Sequence, residues 1–106
     1  MIKVEVKDGV IFKEFNEPLL SIIRAASICY ANSGWTCTIT SATDGTHKPN
    51  SLHYKNLALD FRTWSIPRSK LRDLASQLGH ALGPEYQVVL ETDHLHVEYD
   101  PGNQNN

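Results

Sequence analysis

Two amphipathic helical stretches, set among short β-branched runs, constrain how this chain can fold. In the first, Asn16 occupies a capping position and Pro18 falls in the first turn. Leu19, Ile22, Ile23, Ala26 and Tyr30 then share one face until Gly34 ends the pattern. In the second, Pro67 precedes Leu71, Leu74, Ala75, Leu78 and Leu82, and Gly83-Pro84 stops it. The runs between them have strand character. Residues 35–40 are rich in Thr, Ile and Trp. Residues 57–63 put Leu57, Leu59 and Phe61 on one face and Ala58, Asp60 and Arg62 on the other. Residues 86–90 and 94–99 are strands joined by a hairpin-length link. Ile2, Val4 and Val6 alternate with charges ahead of Asp8-Gly9, which predicts an N-terminal hairpin returning through Val10-Ile11-Phe12. Residues 44–50 read as a loop. This order predicts one α+β domain over residues 1–100, with two helices against a small, mostly antiparallel sheet, and a flexible polar tail over 101–106.

A chain of 106 residues, 41% of them hydrophobic, has room for one core. A formal net charge of -2 gives no suggestion of nucleic-acid or membrane-surface binding. No apolar stretch approaches the roughly 20 residues of a membrane span. The first residues alternate charged and β-branched side chains and lack the apolar segment of a secretory signal. The expectation is a monomer made in the cytoplasm. Cys29 and Cys37 are too few for a disulfide framework or a four-thiolate metal site and read as buried small residues. Five histidines remain to be explained.

Two segments carry the chemistry. In Ser51-Leu52-His53-Tyr54-Lys55-Asn56-Leu57-Ala58-Leu59-Asp60, a loop histidine is followed seven residues later by an aspartate in an otherwise apolar strand. An ionised carboxylate there needs a positive partner, which a metal ion or Arg62 could supply. In Glu91-Thr92-Asp93-His94-Leu95-His96, strand alternation points His94 and His96 to the same face, with Glu91 in the turn before them. His53, Asp60 and one histidine of this pair make three ligands and leave one tetrahedral position open, the count of a catalytic rather than a structural zinc site. His80, near the end of the second helix, fits a favourable interaction with the helix dipole and has no further role.

Residues 51–60 resemble the Ser-x-His-x-x-Gly-x-Ala-x-Asp motif of peptidase family M15, which includes D-alanyl-D-alanine carboxypeptidases, D,D-dipeptidases and phage L-alanyl-D-glutamate endopeptidases. His94-Leu95-His96 resembles the His-x-His motif of the wider superfamily of zinc peptidoglycan peptidases, whose fold the signalling domain of hedgehog proteins shares. The resemblance implies a hedgehog-like or D,D-peptidase-like fold and Zn2+ held by His53, Asp60 and His96. His94 would stand beside the metal as a proton acceptor or oxyanion stabiliser, and Glu91 would be the general base. His47 matches a loop histidine facing the metal in hedgehog domains, and Ser51 would brace the His53 loop. An alternative alignment reads Glu91-x-x-His94 as the carboxypeptidase pattern, with His94 as the ligand.

The implied activity is hydrolysis of amide bonds in peptidoglycan stem or cross-link peptides. A small phage-encoded lytic peptidase, released by host lysis to the cell wall or carried in a virion, would suit the chain. A non-catalytic zinc-binding module on the same scaffold is the alternative. Asn56 stands where the motif has Gly; Asn tolerates the left-handed backbone. The arginine that many relatives carry upstream of the histidine is missing from residues 39–43, which favours an endopeptidase over a carboxypeptidase. The acidic calcium cluster of animal hedgehog domains is missing as well, since Asp44 alone cannot supply six oxygens.

Overall fold

The computed structural model describes residues 1–44 and 51–103. Asn16 caps the first helix as its position predicts: its Oδ1 accepts the Leu19 N–H at 2.9 Å, and α1 runs over Glu17–Asn32. Gly34, at φ +83°, turns the chain away from the helix end. The second helix, α2, spans Arg68–Leu82 behind Pro67. Five strands complete the domain: β1 (Val4–Val6), β2 (Cys37–Ser41), β3 (Ala58–Arg62), β4 (Tyr86–Leu90) and β5 (His94–Tyr99). They form one sheet in the order β1-β2-β3-β5-β4. Among the described residues, only the β1–β2 pair is parallel. The α+β class, with two helices and a mostly antiparallel sheet, is as the periodicities predict.

Both helices pack on one face of the sheet. Leu19, Ile22, Ala26 and Tyr30 from α1 and Leu71, Leu74 and Leu78 from α2 join Ile39, Leu59, Phe61, Leu95 and Val97 in one buried cluster. Tyr30 is fully buried, and its hydroxyl donates to the Arg62 carbonyl at 2.9 Å. Cys29 and Cys37 are buried free thiols, as expected. Burial pushes both thiols up, Cys37 to about 12, so neither is a reactive thiolate. Because strand side chains alternate, the inward set of β3 and β5 sends Asp60, His94, His96 and Glu98 to the opposite face.

The N-terminal hairpin does not form. The Asp8-Gly9 turn is present, with Val10 N–H bonded to the Lys7 carbonyl at 3.2 Å, but residues 10–12 are not a strand. β1 instead adds to β2 in parallel. Ile11 is held by its N–H on Asp44 Oδ1, at 3.0 Å, and by its carbonyl, which accepts the Thr43 N–H at 2.9 Å. Val10 and Phe12 pack against the core from irregular backbone. A turn signal fixes a reversal, whereas the edge of β2 decides which segment pairs. The polar tail starts with a short 3-10 turn over Pro101–Asn103, and residues 104–106 lie outside the described residues.

Candidate metal centre

The site is built where β3 and β5 pair and where the loop before β3 folds over them. Asp60 and His96 are cross-strand partners, so their side chains meet on the face away from the helices. The loop from Ser51 to Leu57 brings in His53, which is 2% exposed. Three contacts set that loop. Ser51 Oγ accepts the His53 N–H at 3.2 Å. Leu57 N–H bonds the Leu52 carbonyl at 2.9 Å. Asn56 takes the left-handed backbone, at φ 59°, that a glycine would supply in the motif. Asn16 also reaches here, its Nδ2 donating to the Asn56 carbonyl at 2.9 Å, so the cap of α1 is tied to the histidine loop.

Three atoms converge. His53 Nε2 lies 3.1 Å from Asp60 Oδ1 and 3.2 Å from His96 Nδ1, and His96 Nδ1 lies 3.0 Å from Asp60 Oδ1. The outer nitrogens fix the tautomers. His53 Nδ1 is 2.7 Å from the Ala42 carbonyl, which can only accept, so Nδ1 carries the proton. His96 Nε2 is 2.7 Å from Glu98 Oε1, and an ionised carboxylate again takes the proton from the ring. With neutral rings, two imidazole lone pairs and a carboxylate oxygen therefore face one another, an arrangement that a cation relieves. Tetrahedral bonds of about 2.0–2.1 Å separate ligand atoms by about 3.3 Å, close to the three spacings here. The group of His53, Asp60 and His96 could hold a metal ion.

Without a cation, protonated rings take its place. Burial alone would raise the Asp60 carboxyl. Hydrogen bonds from protonated His53 and His96, with the charges of His53 and His94, hold it well below the usual carboxylate range. Burial pulls the His96 imidazole down, but its bonds to Asp60 and Glu98 outweigh that and raise it. Arg62, the other positive partner the sequence offers Asp60, is not used this way. Its guanidinium lies 4.0 Å over the Trp64 ring.

His94 stands at the rim. Its Nε2 is 3.7 Å from Asp60 Oδ1, and its Nδ1 is 2.8 Å from Asp93 Oδ1. Of the two histidines of His-x-His, His96 is thus the one grouped with His53 and Asp60, and His94 sits beside them. Glu91 is exposed at the hairpin, where its N–H bonds the His94 carbonyl at 2.9 Å and its own carbonyl accepts from Arg68 Nη1 at 3.1 Å. Among the described residues, its carboxylate enters no hydrogen bond or ion pair. His47 lies outside the described residues.

Three supporting residues escape the sequence reading. Glu98 was legible, since it follows His94 and His96 at strand period. Asp93 adjoins His94 in sequence, but only the end of the hairpin brings their side chains together. Asp44 had no signal: its Oδ1 accepts the N–H groups of Ala42 and Ile11, at 2.9 and 3.0 Å, and so fixes the segment whose carbonyl orients His53. No family model matches the chain, and no curated protein is detectably similar to it in sequence.

Proposed function

We propose that the protein is a zinc-dependent peptidase that hydrolyses amide bonds in the peptide moiety of peptidoglycan. The observation that carries the reading is the convergence of His53 Nε2, Asp60 Oδ1 and His96 Nδ1, all within 4.8 Å of one another, on the sheet face opposite the one that buries α1 and α2. Two imidazoles and one carboxylate suit zinc, and three protein ligands leave a position for water or substrate. The peptidoglycan assignment rests on the resemblance of residues 51–60 and 94–96 to that peptidase superfamily.

Zinc in such a site polarises a carbonyl and makes a bound water acidic near neutral pH. The chain's residues divide the rest. The Ala42 carbonyl and Glu98 hold the two ligand rings in the tautomers that present a lone pair inward. His94, with Nδ1–H directed to Asp93, offers Nε2 at the rim as the acceptor for the proton of the attacking water. Glu91, on the same hairpin, is the carboxylate that the family resemblance makes general base, and the proton returns from these groups to the leaving amine.

Purified peptidoglycan incubated with zinc-loaded protein tests this. New amino and carboxyl termini in the released muropeptides, absent with His53→Ala, are the expected outcome. The exposure of Glu91, and a carboxylate that bonds none of the described residues, favour the second reading, a non-catalytic zinc-binding module. Stoichiometric zinc with intact muropeptides would establish that module and end the peptidase reading.

A further inference from the structure

We infer that the cleft beside Arg62 and Trp64 is a subsite for a peptide carboxylate, next to the metal centre; this deepens the peptidase reading and rests on it for the word substrate. Arg62 follows Asp60 at strand period and is the cross-strand partner of His94, so it continues the same face. The guanidinium stacks on Trp64, whose side chain is 68% exposed, an unusual place for so large an apolar ring. The turn after Trp64 depends on Ser65 in the left-handed region, at φ 66°, a costly conformation for serine.

Among the described residues this arginine has no anion: its Nε is buried without a hydrogen-bond partner, and the guanidinium forms no ion pair. Orphaned buried donors are rare and costly. Arg62 and Trp64 line a cleft of about 240 Å³ together with Trp35, Thr36, Thr38 and Glu5. Glu5, the carboxylate in that lining, has its Oε2 3.5 Å from Lys3 Nζ instead. A stacked guanidinium keeps its edge free for a bidentate carboxylate, and the two threonine hydroxyls can add donors. Arg62 lies two strand steps from Asp60, with Phe61 between them, a span of about 7 Å. An extended peptide covers that span in two residues, so the carboxylate belongs about two residues from the bond at the metal. It is either the chain terminus or an acidic side chain.

Three probes separate the cases on zinc-loaded protein, with binding read from the Trp64 indole resonance: acetyl-Ala-Ala-Ala with a free carboxylate, its C-terminal amide, and acetyl-Ala-Ala-Glu-amide. At least one carboxylate probe should bind about tenfold more tightly than the neutral amide, and whichever does names the source. Arg62→Gln should remove the preference while zinc content stays unchanged, and Glu5→Gln should enlarge it. Equal affinity for acid and amide would overturn the inference, as would a preference that survives Arg62→Gln, because the carboxylate would then be sitting on the metal. The readout needs no turnover. An Arg62-dependent preference in a protein that cleaves no muropeptide would leave the subsite and remove the peptidase, and cleavage without the preference would do the reverse.

Discussion

His96 Nε2 lies 2.7 Å from Glu98 Oε1, two residues along the same strand, while the other ring nitrogen of His96 faces Asp60 at 3.0 Å. The carboxylate thereby selects the tautomer that can bind a metal and raises the basicity of the nitrogen that does so. Glu98→Gln keeps an acceptor oxygen and should cost little, whereas Glu98→Leu should lower zinc affinity about 10–100-fold. Competition against a chromogenic chelator measures both. Equal affinities for wild type and Glu98→Leu would show that the contact orients nothing.

Metal removal should be visible in stability. At a free zinc concentration a hundred times the dissociation constant, binding to the native state alone contributes about 2.7 kcal/mol. For a domain near 100 residues each kcal/mol moves Tm by about 4–8 °C. Chelation should therefore lower the wild-type midpoint by about 10–20 °C, and His53→Ala should abolish the difference between chelated and zinc-treated samples. Paired calorimetric scans decide the matter.

The metal-free protein should show a stability optimum on the acid side of neutrality. Asp60 is held below its ordinary value in the fold, so its contribution is present above the unfolded carboxyl value of about 4 and fades as pH falls below it. His96 is raised, so its contribution is complete below the unfolded imidazole value of about 6.5 and is lost as pH climbs through the folded one. Zinc requires His96 deprotonated, so the loaded protein should reverse the second trend and gain stability from pH 5 to 7. Thermal unfolding across pH 3–9, with and without zinc, gives both curves. A chelated protein that keeps stabilising above pH 7 contradicts the assignment.

The proton acceptor can be located by substitution. Because His94 Nδ1 is 2.8 Å from Asp93, Asp93→Asn and His94→Ala should each slow muropeptide hydrolysis about 10²–10⁴-fold with zinc retained. Glu91→Ala should do the same only if its exposed carboxylate turns toward the substrate on binding. Rates and zinc content measured on one set of preparations separate a lost acceptor from a lost metal.

Asn16 joins two jobs, capping α1 through Leu19 N–H and holding the His53 loop through the Asn56 carbonyl. Asn16→Ala should cost about 0.5–2 kcal/mol of stability and weaken zinc binding as well. Asn16→Asp restores the cap but not the donor, so it should recover the stability and not the zinc affinity.

Much of this arrangement could be read from residue spacing, and the exceptions share a cause. Both helices and strands β2 to β5 follow from apolar periodicity and from Asn16, Pro18, Pro67 and Gly83, because burial on one face dictates those patterns directly. His53, Asp60 and His96 stood out because an imidazole or carboxylate among apolar strand residues needs a reason. The hairpin expected around Asp8-Gly9 failed because partner choice is a tertiary matter: the β2 edge was available to Val4–Val6, and residues 10–12 were taken up by Thr43 and Asp44. The part played by Ala42 was illegible, since a backbone carbonyl carries no side-chain mark. Glu98 was legible and overlooked, because Glu91 upstream of the histidines matched a known pattern.

The pairing of Asp60 with His96 has a consequence for how the chain guards its own chemistry. If β3 slid by a single position against β5, the carboxylate would be driven into the oily layer beneath the sheet, and Leu59 and Phe61 would be stranded in water. A slip of one residue therefore cannot misplace the ligands and still keep the interior dry. Such faulty versions of the centre are opposed by the same force that holds the domain together.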